Sequence, residues 1–459
     1  MTSLVGKFAH YVSLNVLGMI ALSVYILADT YFIANGVGVY GIAALNFAIV
    51  VFNCMHAFGL MVGMGAATRF QLYKVQGNNL MAKMSFCAGL ILVLLGVVCI
   101  YLVGVVYTQP VALFLGAGED TLDLTVVYLR TLCLASPLFL LNDLCLPFVR
   151  NDGAARLAMI AMLAGSFGNI VLDYIFIYIF HWGMFGAAFA TCFAPLISLV
   201  ILAIHVRKGA SFWPILKLKS IQSVLRESKM RWSSWLVLNT KLGFSSSIVE
   251  VSSAFILFAF NLILLNFAGD MGVAAYGIIA NLAFVATAIF VGIGQGVQPL
   301  ASELYALDKQ KSLQSVALYT IVLAIVLALV LQALVLIGNH EFVAAFNESQ
   351  DVSLQLLAEE GMSLYFWGYL FAGINIVMAA FLSAIEHSRQ AWILSFVRGC
   401  VATLVAAVVL VYLLGIVGVW IAFPAGEAFS SLLLLYFLYM LKRKTHTNAS
   451  SCKYEASTN

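Results

Sequence analysis

Charge is what this sequence has least of. Only 9% of its 459 residues are Asp, Glu, Lys or Arg, against roughly 25% in a soluble domain, and that excludes an ordinary water-soluble globular fold. Proline is scarce too, with seven in all and none before Pro110, so long stretches can run as unbroken helix. Cysteine forms no pattern. Cys54, Cys87, Cys99, Cys133, Cys145, Cys192 and Cys400 lie in apolar runs without C-x-x-C spacing, and Cys452 lies in a polar tail, which argues against a disulfide framework or a thiolate metal centre. There is no G-x-x-x-x-G-K-[ST] phosphate loop, no H-E-x-x-H and no G-x-S-x-G, so neither ATP hydrolysis nor intramembrane enzyme chemistry is indicated. The net charge of +3 is small and its basic residues are spread over many short loops, which leaves no footprint for nucleic acid.

What is present is hydrophobicity. Apolar residues make up 63% of the chain and the mean hydropathy is +1.03. A spanning helix needs about 20 mostly apolar residues, and twelve such runs can be marked. The first six cover 11–33, 42–62, 84–106, 126–146, 158–180 and 184–206; the second six cover 244–267, 273–297, 316–337, 364–385, 392–414 and 417–441. The first run follows Lys7, is longer than the core of a signal peptide and lacks a small-residue cleavage site, so it reads as a spanning helix. The expected fold is an all-α integral membrane protein: a six-helix bundle over 1–206, a linker over 207–241, a second six-helix bundle over 242–441 and a polar tail over 442–459. Within the linker, Trp213, Ile215, Leu216, Ile221, Val224 and Leu225 alternate with Lys217, Lys219 and Arg226, a pattern that suits a short helix in the headgroup region or a plain connector.

Basic residues are retained on the cytoplasmic side of a membrane. Of 23 Lys and Arg, 21 fall in the N-terminal segment, the even-numbered loops, the linker and the tail, and the odd-numbered loops hold none. Those odd loops carry acids instead, among them Glu119, Asp120, Asp123, Asp270, Glu341, Glu348, Asp351, Glu359 and Glu360. Both termini are therefore expected in the cytoplasm of a cell whose plasma (inner) membrane holds the protein. Tyr40-Gly41-Ile42 with Ala44 recurs as Tyr276-Gly277-Ile278 with Ala280, and Gly183-x-x-Gly186 recurs as Gly415-x-x-Gly418. The halves read as copies. An even number of spans in each half inserts both copies the same way, so a pseudo-two-fold axis along the membrane normal should relate them, as in transporters with a central cleft.

An ionisable side chain in the bilayer costs several kcal/mol and needs a partner or a function. Asp29, Asp143, Asp173, Glu250, Glu427, Arg130 and Arg398 lie inside the runs. The hairpin of runs five and six turns near Trp182, and Asp173 and Thr191 stand nine residues to either side, roughly 13 Å below the turn at 1.5 Å per residue. Asp29 lies six residues before Asn35, where run one leaves the membrane, so all three share the outer half. Asn169 is one helical turn from Asp173 and shares its face. These four can converge. Two carboxylates close together in low dielectric cannot both stay charged without a cation between them, and a set of carboxylate, amide and hydroxyl oxygens suits a hard cation such as Na⁺, or protons. Local capping or pairing of each aspartate is the plainer alternative. Glu250 can act or can snorkel to water; Asp143 is expected to pair with Arg150, and Arg398 with Glu427 across the last hairpin. Arg130 stands near the outer end of run four. The stretch Gly292-x-Gly294-Gln295-Gly296-x-Gln298-Pro299 offers close packing and polar groups near the cleft, and the Met and Phe side chains could make an adaptable wall for lipophilic cations.

Ala28-Asp29-Thr30-Tyr31-Phe32-Ile33 followed by Gly41-x-Ala43-Ala44-Leu45-Asn46 resembles the first two helices of the MATE (multidrug and toxic compound extrusion) family. Phe148-Val149-Arg150-Asn151-Asp152-Gly153, Asn169 to Asp173, Gly183-Met184-Phe185-Gly186-Ala187-Ala188 with Ala190-Thr191, Ala274-Ala275-Tyr276-Gly277 and Gly294-Gln295-Gly296-Val297-Gln298-Pro299 extend the resemblance over both halves. It implies export of diverse, often cationic small-molecule drugs in exchange for Na⁺ or H⁺, by rocking of two bundles. The family's N-lobe cation site would then fall on Asp29, Asn169, Asp173 and Thr191, with Glu250, Gln295 and Gln298 as further candidates. Many relatives bend their first helix at a proline that this chain lacks. One branch adds a glutamate in the seventh helix and an aspartate in the tenth; Glu250 lies about one turn nearer the cytoplasm and 364–385 has no acid, so no cation site is expected in the C-terminal half. Apart from the coupling ion no cofactor is expected, nor an ATPase partner, and the partners are drugs and membrane lipids. The rival readings are a flippase for lipid-linked saccharides, whose relatives tend to carry several bases in the cleft, and a membrane receptor without transport.

Overall fold

The computed structural model describes residues 3–213, 232–347 and 351–457, and among them every regular element is a helix. The proposed headgroup helix of the linker falls, apart from Trp213, outside the described residues, as does Glu348.

The chain starts with α1 (Leu4–Gly36), capped by Ser3, whose Oγ accepts the Gly6 N–H at 3.1 Å. Gly38, at φ +94°, turns the chain into α2 (Val39–Val75). Asn78 caps α3 (Asn79–Ile100), which ends in a π-turn, Tyr101–Val106. A short α4 (Thr108–Phe114) precedes α5 (Glu119–Leu134) and α6 (Ser136–Val149), which share run four and part at Ala135, just before Pro137. A turn at Gly153, φ +93°, leads to α7 (Ala155–Asp173), and then α8 (Gly183–Arg207) closes the first half.

The second half opens with α9 (Trp232–Ala306), whose two arms are runs seven and eight, bent back at Gly269, φ +61°. Its first turns lie inside the polar 207–241 segment. Next come α10 (Gln310–Ala344), α11 (Val352–Tyr365), α12 (Tyr369–Ala384), α13 (Ser388–Phe396), α14 (Thr403–Leu414) and α15 (Ile416–Ser457), so the backbone of the polar tail continues the last helix. Among the described residues ten helices are long and apolar enough to cross a membrane. The one over Ser136–Ile179 turns at Gly153 and α9 turns at Gly269, so chain reversals inside continuous helices carry the twelve runs.

Two cores form. One gathers buried side chains from Ile33 to Phe212, the other gathers those from Ile256 to Leu434, and Phe8 and Val12 of α1 reach across to the second. The repeat shows in the backbone: Gly183 and Gly415 both take positive φ at the start of equivalent hairpins, and Gly186 and Gly418 both press onto the backbone of the preceding helix. Near the end of the first lobe that carries the N-terminus, Asp152 gathers Lys74 (2.5 Å), His205 (2.8 Å) and the Ser211 N–H (2.9 Å), while Phe212 is buried among Phe70, Phe86 and Phe148. The start of the linker is thus pinned to the first lobe.

At the end that carries the N-terminus, here called the base, small residues let the lobes meet closely. A side chain at Gly65 would strike the Asn239 carbonyl, one at Gly243 the Met61 carbonyl, and those at Gly292 and Gly296 the backbone of α1 at Val16 and Val12, 2.9 and 2.8 Å away. Arg69 pairs with Glu386, Lys7 with Glu303 at 3.5 Å, and Gln298 Nε2 donates to Thr68 Oγ1 at 2.5 Å. At the opposite end, the mouth, Tyr31, Tyr40 and Phe267 are exposed. Gly243→Val should part the base: overpacking of about 1–3 kcal/mol shifts a two-state equilibrium by roughly 5- to 150-fold, read as loss of short-linker crosslinking between cysteines placed at Thr68 and Gln298. Undiminished crosslinking would contradict it.

Candidate functional site

At Asp173 the helix α7 passes into a π-turn, Tyr174–Ile179, a widening often found at functional positions. The hairpin to α8 is closed by the Trp182 N–H, which donates to the Phe176 carbonyl at 2.9 Å. Gly186 then lets α8 lie 3.1 Å from the Phe176 backbone, measured from the position its missing Cβ would take. This brings Thr191 level with Asn169 and Asp173. Oriented to satisfy both neighbours, the Asn169 amide donates to Asp173 Oδ2 at 3.2 Å and accepts from the Thr191 backbone N–H at 3.2 Å. The Thr191 hydroxyl donates to the Ala187 carbonyl at 3.0 Å. From α1, Asp29 faces Asp173 closely enough for the two charges to act on each other. All four residues are buried, so the convergence expected from depth counting is present.

Two tyrosines complete the surroundings. The Tyr128 hydroxyl on α5 donates to Asp29 Oδ2 at 3.3 Å, and Tyr25, one turn before Asp29, is buried facing Asp29, Asp173 and Asp143. In sequence a tyrosine within an apolar run looks like any interfacial aromatic, so nothing marked them. Asp29 Oδ1 and Asp173 Oδ1 have no hydrogen-bond donor among the described residues. An unpartnered carboxylate oxygen at such depth is costly, and a proton or a hard cation drawn to this all-oxygen set would relieve it.

The remaining candidates stand elsewhere. Glu250 is half-buried, close enough to His56 and Asp143 for its charge to act on them. Asp143 does not pair with Arg150: the two are seven residues apart, Gly59 lets α2 close onto the Asp143 side chain, and His56 Nδ1 meets Asp143 Oδ2 at 3.1 Å. Arg150 instead turns to the lobe contact, bonding Asn15 Oδ1 and donating to Gln295 Oε1 at 3.1 Å. Gln295 and Gln298 thus belong to the base, apart from Asp29 and Asp173. Arg130 is exposed. Arg398 and Glu427 pair as expected, at 2.6 Å. His56 carried a signal that sequence reading passed over, since any ionisable residue inside an apolar run needs a partner.

Residues 16–175 and 246–412 match the MatE family profile. Over 438 residues the chain is 25% identical to the multidrug export protein MepA of Staphylococcus saprophyticus, covering 94% of this chain and 93% of that one. It is 24% identical over 444 residues to the protein of the same name from Staphylococcus aureus (strain MSSA476), covering 96% and 95%. Among solved structures it resembles an outward-facing multidrug resistance MATE family transporter of the MOP superfamily, with TM-score 0.87, 22% identity and 97% of each chain covered. A MOP superfamily transporter from Pyrococcus furiosus, described by the reverse polarity of its binding pocket, follows with TM-score 0.86, 21% identity and 96% coverage of each. With its two lobes, its spanning helices and a family match over most of its length, the chain belongs to the MatE family of multi-pass membrane transporters.

Proposed function

We propose that this transporter exports lipophilic, cationic small molecules across the plasma membrane in exchange for Na⁺ or H⁺ bound at Asp29, Asn169, Asp173 and Thr191. The observation that carries the reading is the pair of buried carboxylates in one lobe, each with an oxygen that no donor among the described residues satisfies. Neutralising that pair stabilises whichever lobe arrangement encloses it, and drug binding in the cleft stabilises another; exchange follows from the difference in affinity between the two. With the base on the cytoplasmic side, as the basic loops require, contact at the base leaves the cleft open to the outside.

The test is movement of the cationic dye ethidium in vesicles holding the purified full-length protein, with Na⁺ and pH gradients imposed separately. Accumulation driven by one gradient supports exchange and names the ion. No accumulation under either gradient removes the reading, and a neutral dye moved equally well removes the preference for cations.

A further inference from the structure

His56 on α2 and Asp143 on α6 form an ion pair within the first lobe, at 3.1 Å, with side chains 23% and 7% exposed. The arrangement is built rather than incidental. Gly59, one turn from His56, has its open face filled by the Asp143 carboxyl, and Phe52 stacks on the imidazole with ring planes 5° apart. Phe139 in turn meets Phe52 edge-on at 5.5 Å. The third member comes from the other lobe: α9 packs on α2 with Gly243 against Met61 and Asn239 against Gly65, which brings Glu250, two turns on from Gly243, level with His56, where its charge acts on His56 and Asp143. The groups facing the imidazole are therefore Asp143 from α6 and Glu250 from α9, with the Tyr25 phenol of α1 beside Asp143. Among these, Tyr25 also borders the Asp29 group.

We infer that His56, Asp143 and Glu250 form a second proton-binding site, shared between the lobes and complete only while the base is closed. In that arrangement a proton on the imidazole is held by the Asp143 contact and by the field of the Glu250 charge. When the base opens, Glu250 leaves with its lobe, one carboxylate is lost, and the proton departs to the side that has just opened. With His56 neutral, Asp143 and Glu250 repel one another and favour separation. Low pH therefore holds the base together and high pH loosens it. The inference rests on the alternating-lobe reading above, but its test needs neither drug nor Na⁺.

Spin labels on cysteines at Tyr40 and Phe267, both exposed at the mouth, in a background stripped of native cysteines, report the spread of the lobes. Distances are measured without drug or Na⁺ from about pH 5 to 10, wide enough to take His56 from charged to neutral. The wild-type mouth distance is expected to shorten as pH rises. His56→Gln and Glu250→Gln should lose most of that shift, and His56→Lys should hold the long distance throughout. A wild type that does not respond, or His56→Gln and Glu250→Gln variants that respond as the wild type does, overturns the site. Failure of ethidium transport with this pH response intact would remove the export reading alone.

Discussion

Asp173→Asn is expected to abolish gradient-driven accumulation of ethidium while leaving the protein folded. The substitution keeps the shape of the side chain and its contact with Asn169, which donates to Oδ2 at 3.2 Å, but it removes the charge. What disappears is the reason for a proton or cation to bind: a buried carboxylate with an unsatisfied Oδ1. A coupling free energy of about 1–3 kcal/mol corresponds to roughly 5- to 150-fold in affinity between sites, and the accumulation ratio should fall by a comparable factor. Asp29→Asn should do the same, since Asp29 feels the charge of Asp173. On the proposed coupling both act on one bound ion, so the double variant should be no worse than either single one. Vesicle uptake gives the ratio, and thermal melting in detergent shows that the fold survives. If either variant accumulates dye as well as the wild type, the N-lobe pair is not the coupling site.

Glu427→Ala is expected to be the most destabilising single change in the second lobe. Glu427 is fully buried and holds Arg398 through two contacts, 2.6 Å to Nη2 and 3.2 Å to Nε, while the Asn375 amide donates to its Oε2 at 2.8 Å. Ser431 donates in turn to Asn375 Oδ1 at 3.2 Å. Truncation strands a buried guanidinium and an amide donor together, and breaking such a pair costs about 3–5 kcal/mol. Replacing both ends by apolar side chains, Arg398→Met with Glu427→Leu, removes the stranded charge and should regain most of that loss. The measurement is the melting midpoint of the purified protein in detergent. A Glu427→Ala midpoint equal to wild type would show that the pair contributes nothing to the fold.

The architecture was legible in sequence because its cause is one-dimensional. Hydrocarbon forces every backbone polar group into local helical bonds, so run length, loop charge and repeated glycines report spans, sidedness and the two copies directly. Asp29, Asn169, Asp173 and Thr191 were legible for the same reason: a hairpin turns depth into residue counting, and a charge in an apolar run announces itself. Tyr25 and Tyr128 were not, because a phenol buried beside a carboxylate and one at the membrane surface have the same sequence surroundings.

Pairing across space was the part that counting could not reach. Spacing along one helix pointed Asp143 towards Arg150, yet Gly59 opened a gap on a neighbouring helix that the Asp143 carboxyl fills, beside His56, which left Arg150 free to turn to Asn15 and Gln295 at the base. Glu250 reads as an end-of-helix acid until the lobes are docked, and only then does it face His56. The amino-acid sequence by itself determined that this is a two-lobed helical membrane transporter with carboxylates at one depth, because burial in lipid acts on each segment separately. Which of its ionisable groups face one another, and which lobe surfaces touch, was decided only by the tertiary structure, because those contacts depend on gaps left by glycines on helices remote in the chain.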